Sequence, residues 1–354
     1  MKVAPRRTQE IKKAVSELKG ETIRVQVLRG LKDVRIDVLD EAPPLKIVYN
    51  EGGAALLNGE HLPLPVDVES HEEFIYVNGR PYRGNIKVVE GETGLDVINE
   101  LDVERYLVGL INNEVSSKWH IEAIKAQAVI ARTYARYQKE RRQGGLFHVA
   151  GTYMDQVYNG TDAEDNAAYE AVAQTKGQVL MYNGMPALAV YHSNAGGRTE
   201  SVKDVWGGDY PYLKSVKSPY DKDAPLYKWE MYMDPQTLKQ LLVSNGYSIG
   251  MPARIIVEER SSTDRVKRLV LRASDGSNAS LTGEELRKIL GYSNLKSTLF
   301  DVEKEGDAFV FRGRGSGHGV GLSQWGAKGF AENGMRYTEI LEHFYQGTKL
   351  VTLY

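Results

Sequence analysis

A single glutamate, Glu114, stands where the turn-forming residues Asn112-Asn113 and Ser116-Ser117 give way to a helix-forming run that carries Lys125 and Arg132. A carboxyl group in such a place can serve as a general acid and base if its proton affinity is raised toward neutrality. Trp119 supplies apolar surface nearby of the kind that desolvates a carboxyl group and raises its pKa. Lys125 and Arg132 are seven residues apart. On a helix they project within ~20° of each other and ~10 Å apart along the axis, so two cations form a ladder for an anionic ligand. If both pointed at Glu114 they would lower its pKa, so at least one is expected to face a substrate instead. The plain alternatives are a capping or surface acid at Glu114 and a solvated basic face. Against the latter, the segment Gln127-Ala-Val-Ile-Ala131 between the two cations carries no charge.

Downstream, glycine occupies every second position from Gly313 to Gly321 and leads into Leu322-Ser-Gln-Trp-Gly326. The run matches neither a phosphate-binding P-loop nor a dinucleotide-binding glycine fingerprint. Period-two glycine predicts an extended segment with one face bare of side chains, with Arg314, Ser316, His318 and Val320 on the other. Close packing against an alanine-rich helix and the lining of a substrate groove are both open readings. The seven histidines show no His-x3-His pair and no His-Glu-x-x-His motif. His192 and His318 therefore read as hydrogen-bonding residues rather than metal ligands. With no cysteine in the chain, thiolate nucleophiles, disulfides and cysteine zinc sites are excluded.

The elements that must hold these residues are legible in the pattern. The chain has 354 residues, 42% of them hydrophobic and 26% charged, with a formal charge of −2. That is a globular composition with no basic field suited to nucleic acid, so no nucleic-acid partner is expected. No window approaches the ~20 apolar residues of a membrane span. The basic start has no apolar stretch behind it, so no signal peptide is visible. Residues 1–21 read as a leader. Strands with period-two alternation are expected at Ile23–Leu28 and Val34–Val38, and Asn58-Gly59, Asn78-Gly79 and Asn183-Gly184 are hairpin turns. Helices are predicted over Asp102–Leu110, from His120 to about Arg142, and over Asp162–Thr175. In the second of these Ile121, Ile124, Ala128, Ala131 and Ala135 form one narrow apolar face. Gln178–Tyr182 and Ala187–Tyr191 are expected to pair. Pro235–Leu242 and Thr282–Leu290 read as helices flanking the strands Ala253–Glu258 and Val266–Arg272, and a closing helix is expected near Thr338, capped by its hydroxyl. The fold class is α+β, with an N-terminal β region at 22–84 and a small inserted α+β subdomain at 234–305.

These residues resemble the sporulation stage II protein D family, also called SpoIID/LytB. The matching stretches are Leu101-Asp-Val-Glu-Arg-Tyr-Leu-Val-Gly109, Asn113-Glu114, Trp119 to Val129, Ala131-Arg-Thr-Tyr134, Tyr191-His-Ser193 with Gly196-Gly-Arg-Thr-Glu200, Asp204-Val-Trp-Gly207, Pro211-Tyr-Leu213 and Gly317 to Ala327. They run in the family's order from about Gly84 onward. The resemblance implies a catalytic core of mixed helices and antiparallel sheet at 85–233 and 306–354. It also implies a peptidoglycan lytic transglycosylase that cleaves between N-acetylmuramic acid and N-acetylglucosamine and leaves a 1,6-anhydro product. Glu114 would then be the acid/base, Lys125 and Arg132 positions needed for activity, and Tyr191, Ser193, His318 and Gln324 substrate-binding residues. Peptide-free glycan strands are the expected substrate. Some members bind zinc through a cysteine where this chain has Ala195, so no zinc and no other cofactor is expected. The resemblance further implies a cell-envelope location, which requires a signal that was removed or that lies upstream. Its alternative is a non-enzymatic enhancer whose partner is a cell-wall amidase. A third reading, a module that binds anionic polysaccharide, uses only the basic helix and gives Glu114 no role.

Overall fold

The computed structural model describes Val15 and residues 18–38, 43–50, 55–57, 59–69 and 73–354. Most of the expected leader and the Asn58 half of the Asn58-Gly59 turn lie outside these residues. The chain divides into two compact units. One holds the residues up to Leu188 together with Lys349–Tyr354, and the other is Ala189–Thr348.

In the first unit the alternating apolar residues of Thr22–Leu31 place Ile23 and Val25 in the core. That strand pairs antiparallel with Leu95–Asp102 and parallel with the short Val149–Ala150, within a five-stranded sheet. A separate six-stranded sheet contains Asp33–Val38 and the hairpin Ile75–Val77 with Arg80–Tyr82. That hairpin turns at Asn78 and Gly79, with φ of 49° and 80°, the two positive values a tight right-twisting hairpin requires. Asn183 and Gly184 repeat the device between Gln178–Tyr182 and Met185–Pro186. Of the expected partner strand Ala187–Tyr191 only Tyr191 is in a strand, the pairing residues being Met185–Pro186, and Gln178–Tyr182 pairs on its other side with Lys349–Thr352.

Three helices complete this unit. Val103–Glu114 starts at Asp102, whose carboxylate accepts the Glu104 N–H at 2.8 Å. Ile121–Arg141 buries Ile124, Ala128, Ala131 and Ala135 in the core, as their spacing predicts, with Ile121 packed at the edge. Asn166–Gln174 is capped by Asp165. Gly109 permits one close approach: a Cβ there would lie 2.6 Å from the Gly160 carbonyl oxygen and 2.9 Å from the Tyr158 ring. The irregular segment that ends at Gly160 therefore lies against the Val103–Glu114 helix.

The second unit has its own core, built on Leu238, Leu269, Leu271, Leu286, Phe300 and Phe311. Its helices Pro235–Ser244 and Gly283–Leu290 and the strands Pro252–Arg260 and Val266–Ala273 fall where the sequence places them. Thr282 caps Gly283–Leu290 reciprocally with Glu285. The closing helix is Tyr337–Phe344. Thr338 lies inside it, and the Arg336 N–H is taken by the Glu339 carboxylate at 2.8 Å instead.

The glycine run departs from the expected extended ribbon. The strand Ala308–Arg314 ends as the run begins, and Gly315, Gly317, Gly319 and Gly321 all adopt left-handed φ, between 71° and 109°. Two of them also sit too close to a neighbour for a side chain: a Cβ on Gly321 would be 2.0 Å from the Val190 carbonyl oxygen, and one on Gly317 2.6 Å from His192 Cβ. The alternation records a repeated left-handed turn. Among the described residues no helix is long and apolar enough to cross a membrane.

Candidate functional site

Glu114 is the last residue of Val103–Glu114, a helix held to the core by Tyr106, Leu107, Leu110 and Ile111. Its half-buried carboxylate accepts the Val157 N–H at 2.9 Å. Val157 belongs to an irregular segment that is fixed by its two preceding residues. Asp155 accepts the Tyr134 hydroxyl at 2.6 Å, Arg142 Nη1 at 2.7 Å and the Ala150 N–H at 2.8 Å. Gln156, fully buried, accepts the Tyr106 hydroxyl at 3.1 Å and donates to the Ala131 carbonyl at 3.3 Å. The amide that meets Glu114 is thus tied to both long helices. Burial, and after it the neighbouring Glu114 charge, push the Tyr106 phenol well above its ordinary range and keep it a neutral donor.

Lys125 is half-buried on the second helix, and its Nζ donates to Glu122 Oε1 at 2.7 Å. The N-terminal end of that helix is tied down by His120, whose Nδ1 accepts the Glu122 N–H at 3.3 Å. Trp119 is half-buried and packs against the core.

Arg132 departs from the ladder that its spacing suggested. It is 2% exposed, and its guanidinium is clasped two-pronged by the fully buried Glu104: Nε to Oε1 at 2.8 Å and Nη2 to Oε2 at 2.7 Å. Nη1 donates to the Gln178 carbonyl at 3.1 Å, while Tyr354 Oη and the Gly177 N–H reach Glu104 Oε1 at 2.6 Å and 3.2 Å. The cation is used up inside the unit because the facing helix supplies a carboxylate, which a projection of one helix alone does not reveal.

The second unit gathers the other four predicted residues. Tyr191–His192 pairs parallel with Leu322–Ser323, and the Trp325 N–H donates to the Ser193 carbonyl at 3.0 Å. Gln324 opens the helix Gln324–Glu332 behind its cap Ser323 and is 8% exposed. His318 Nε2 lies 2.9 Å from the Tyr191 carbonyl oxygen, and its Nδ1 accepts the Val320 N–H at 3.1 Å. Those partners call for a neutral ring with its proton on Nε2. The residue that organises this cluster escaped the sequence reading. It is Asp221, whose buried carboxylate accepts the Ala195 N–H and the Ser218 hydroxyl, both at 2.7 Å, and the Ser323 hydroxyl at 2.8 Å. Asp155 and Glu104 were missed in the same way. Glu104 stands inside a family stretch and the two aspartates outside any, and each of the three bonds partners distant in sequence that local spacing does not show.

Burial, and next the Arg287 charge, lower His318 from 6.5 to about 3. His192 is also driven well below its usual value, first by burial and then by His318 and Arg265. Both rings are neutral in the fold but take up protons near 6.5 once unfolded. Their contribution to stability is therefore complete above that pH and is lost progressively as pH falls from 6.5 toward about 3. Burial raises Asp221, which works in the opposite sense but only toward the carboxylate range, so the upper part of the interval belongs to these two histidines and to His148, which burial and then the Arg24 charge lower to about 4. Thermal unfolding followed on acidification should show a falling melting temperature across that upper part, with a shallower slope in His318→Gln. An unchanged slope would contradict the assignment.

Residues 91–182 match the family described as Stage II sporulation protein, SpoIID, and residues 211–321 match a domain of unknown function. Stage II sporulation protein D of Bacillus subtilis is 33% identical to the chain, over 72% of this chain and 75% of that protein. An uncharacterized protein of Brachyspira hyodysenteriae is 29% identical over 92% of this chain and 84% of its own. The amidase enhancer of Bacillus subtilis is 32% identical over 70% of this chain and 40% of the enhancer.

Proposed function

Because the chain belongs to the stage II sporulation protein D family, we propose that it is a peptidoglycan lytic transglycosylase with Glu114 as its sole acid/base. The observation that carries this reading is the anchoring of Glu114: a half-buried carboxylate at a helix end, steadied by one loop amide that is itself tied to both long helices. One carboxyl group is enough for this reaction. Protonated Glu114 donates to the glycosidic oxygen as the bond to the muramic acid anomeric carbon breaks. The same sugar's C6 hydroxyl then attacks that carbon and passes its proton to the carboxylate. The 1,6-anhydro ring forms, no water is consumed and Glu114 is protonated again. A hydrolase would ordinarily need a second carboxylate.

Lys125 supports the reading as a cation for the lactyl carboxylate of peptide-free strands, with Glu122 steering its ammonium group. Arg132 acts as a positioning residue that fixes the second helix against the first. Tyr191, Ser193, His318 and Gln324 are the proposed saccharide contacts of the second unit, and the setting is the cell envelope. The test is incubation of the purified protein with peptide-free glycan strands and mass spectrometry of the products. Anhydro-ended fragments are expected. Their absence, together with stimulation of an added cell-wall amidase, would favour a non-enzymatic enhancer, the reading suggested by the amidase enhancer relative.

A further inference from the structure

In the second unit a groove of about 510 Å³ opens where the strands Lys228–Met233, Ala308–Arg314 and Phe300–Glu305 meet the turn after Arg260. Its unusual feature is a like-charge pair. Lys228 and Arg314 stand directly opposite each other across the antiparallel ladder, both exposed and both lining the groove, and among the described residues neither has an acidic partner. Directly opposed like charges repel across a ladder and are normally avoided or neutralised. The next pair along, Glu230 with Arg312, is neutralised by an ion pair of 2.7 Å, and Arg260 by Asp301 at the same distance. Trp229 and Phe300, one position along, belong to the buried core, 9% and 2% exposed, and the indole fills the place of a Gly313 side chain, whose Cβ would lie 2.2 Å from it, so the groove offers the two cations and not the rings.

We propose that this groove binds an acidic sugar unit, with Lys228 and Arg314 gripping its carboxylate. The choice of sugar rests on the glycan reading given above. A carboxylate fits two adjacent cations. A densely charged phosphate polymer suits the groove less well, because the other cations that line it, Arg260 and Arg312, are already paired with Asp301 and Glu230, and the solvated Asp264 stands in the same lining.

The test reads Lys228 directly, as its rate of acetylation by an amine-selective reagent, followed by peptide mass spectrometry in the Glu114→Gln background so that strands are not consumed. Peptide-free glycan strands should protect Lys228 by about tenfold, the scale of one charge-assisted contact. The same strands with their carboxylates reduced to alcohols should not protect it. Arg314→Ala should remove most of the protection while leaving the melting temperature unchanged. The proposal is overturned by unprotected Lys228 at saturating strands, by equal protection from reduced strands, or by stronger protection from a glycerol-phosphate polymer. Failure of the transglycosylase reading shows instead as missing anhydro products from the unaltered protein, a separate readout.

Discussion

Glu114→Gln is expected to slow anhydro-product formation by about 100- to 10,000-fold, the usual contribution of a positioned general acid and base. The substitution is close to isosteric. The new amide oxygen can still accept the Val157 N–H that Glu114 now accepts at 2.9 Å, so the loop has no reason to move. What is lost is the ability to give a proton to the leaving oxygen and to take one back from the C6 hydroxyl. Melting temperature and glycan binding should therefore stay near those of the unaltered protein while turnover falls. Undiminished turnover would sink the single-carboxylate mechanism. Unaltered amidase stimulation by the variant, with no product from either protein, would transfer the chain to the enhancer class.

Arg132→Met is expected to cost about 3–5 kcal/mol of stability, because removing one partner of a buried ion pair strands the other charge without water. Glu104 is fully buried, and the guanidinium supplies two of its four close donors, the others being Tyr354 Oη and the Gly177 N–H. The Gln178 carbonyl would lose its guanidinium donor as well. Removing both charges together, as Arg132→Met with Glu104→Leu, should restore much of the loss, since two apolar residues of similar volume satisfy each other where a lone carboxylate cannot. Urea unfolding of the two single variants and the double variant measures this. Additive losses would mean that the pair does not act as a unit. Any activity lost in Arg132→Met should track the disturbed helix pair and recover in part in the double variant, which direct contact between Arg132 and substrate would not allow.

The sequence made the local devices readable. Asp102 and His120 at helix starts, Asn78-Gly79 and Asn183-Gly184 at turns and the 121/124/128/131/135 stripe are decided within a few residues of chain, and each appears in the structure. Family membership was readable too, from motifs that span both units. The partners across space were not. Arg132 looked like an outward cation because its acceptor sits 28 positions earlier on another helix. Asp221 organises the Tyr191–Gln324 cluster through Ala195 and Ser323, neither of which its own neighbourhood announces. The glycine run was misjudged for a different reason. Period two describes equally an extended strand and a string of left-handed turns, and only φ tells them apart. Thr338 was an acceptable cap by type but lies inside its helix.

The strand Lys349–Thr352 lies beside Gln178–Tyr182 in one sheet, although the whole Ala189–Thr348 unit intervenes in the chain. During synthesis, then, Glu104 and Arg132 leave the ribosome well ahead of the Tyr354 hydroxyl that joins them, 250 positions later than Glu104. Until that hydroxyl arrives, the nascent first unit has an open sheet edge and a carboxylate short of one donor. Its final locking must wait for Lys349–Tyr354, a segment made after its neighbour, which ties completion of the Glu114-bearing unit to synthesis of the Ala189–Thr348 unit.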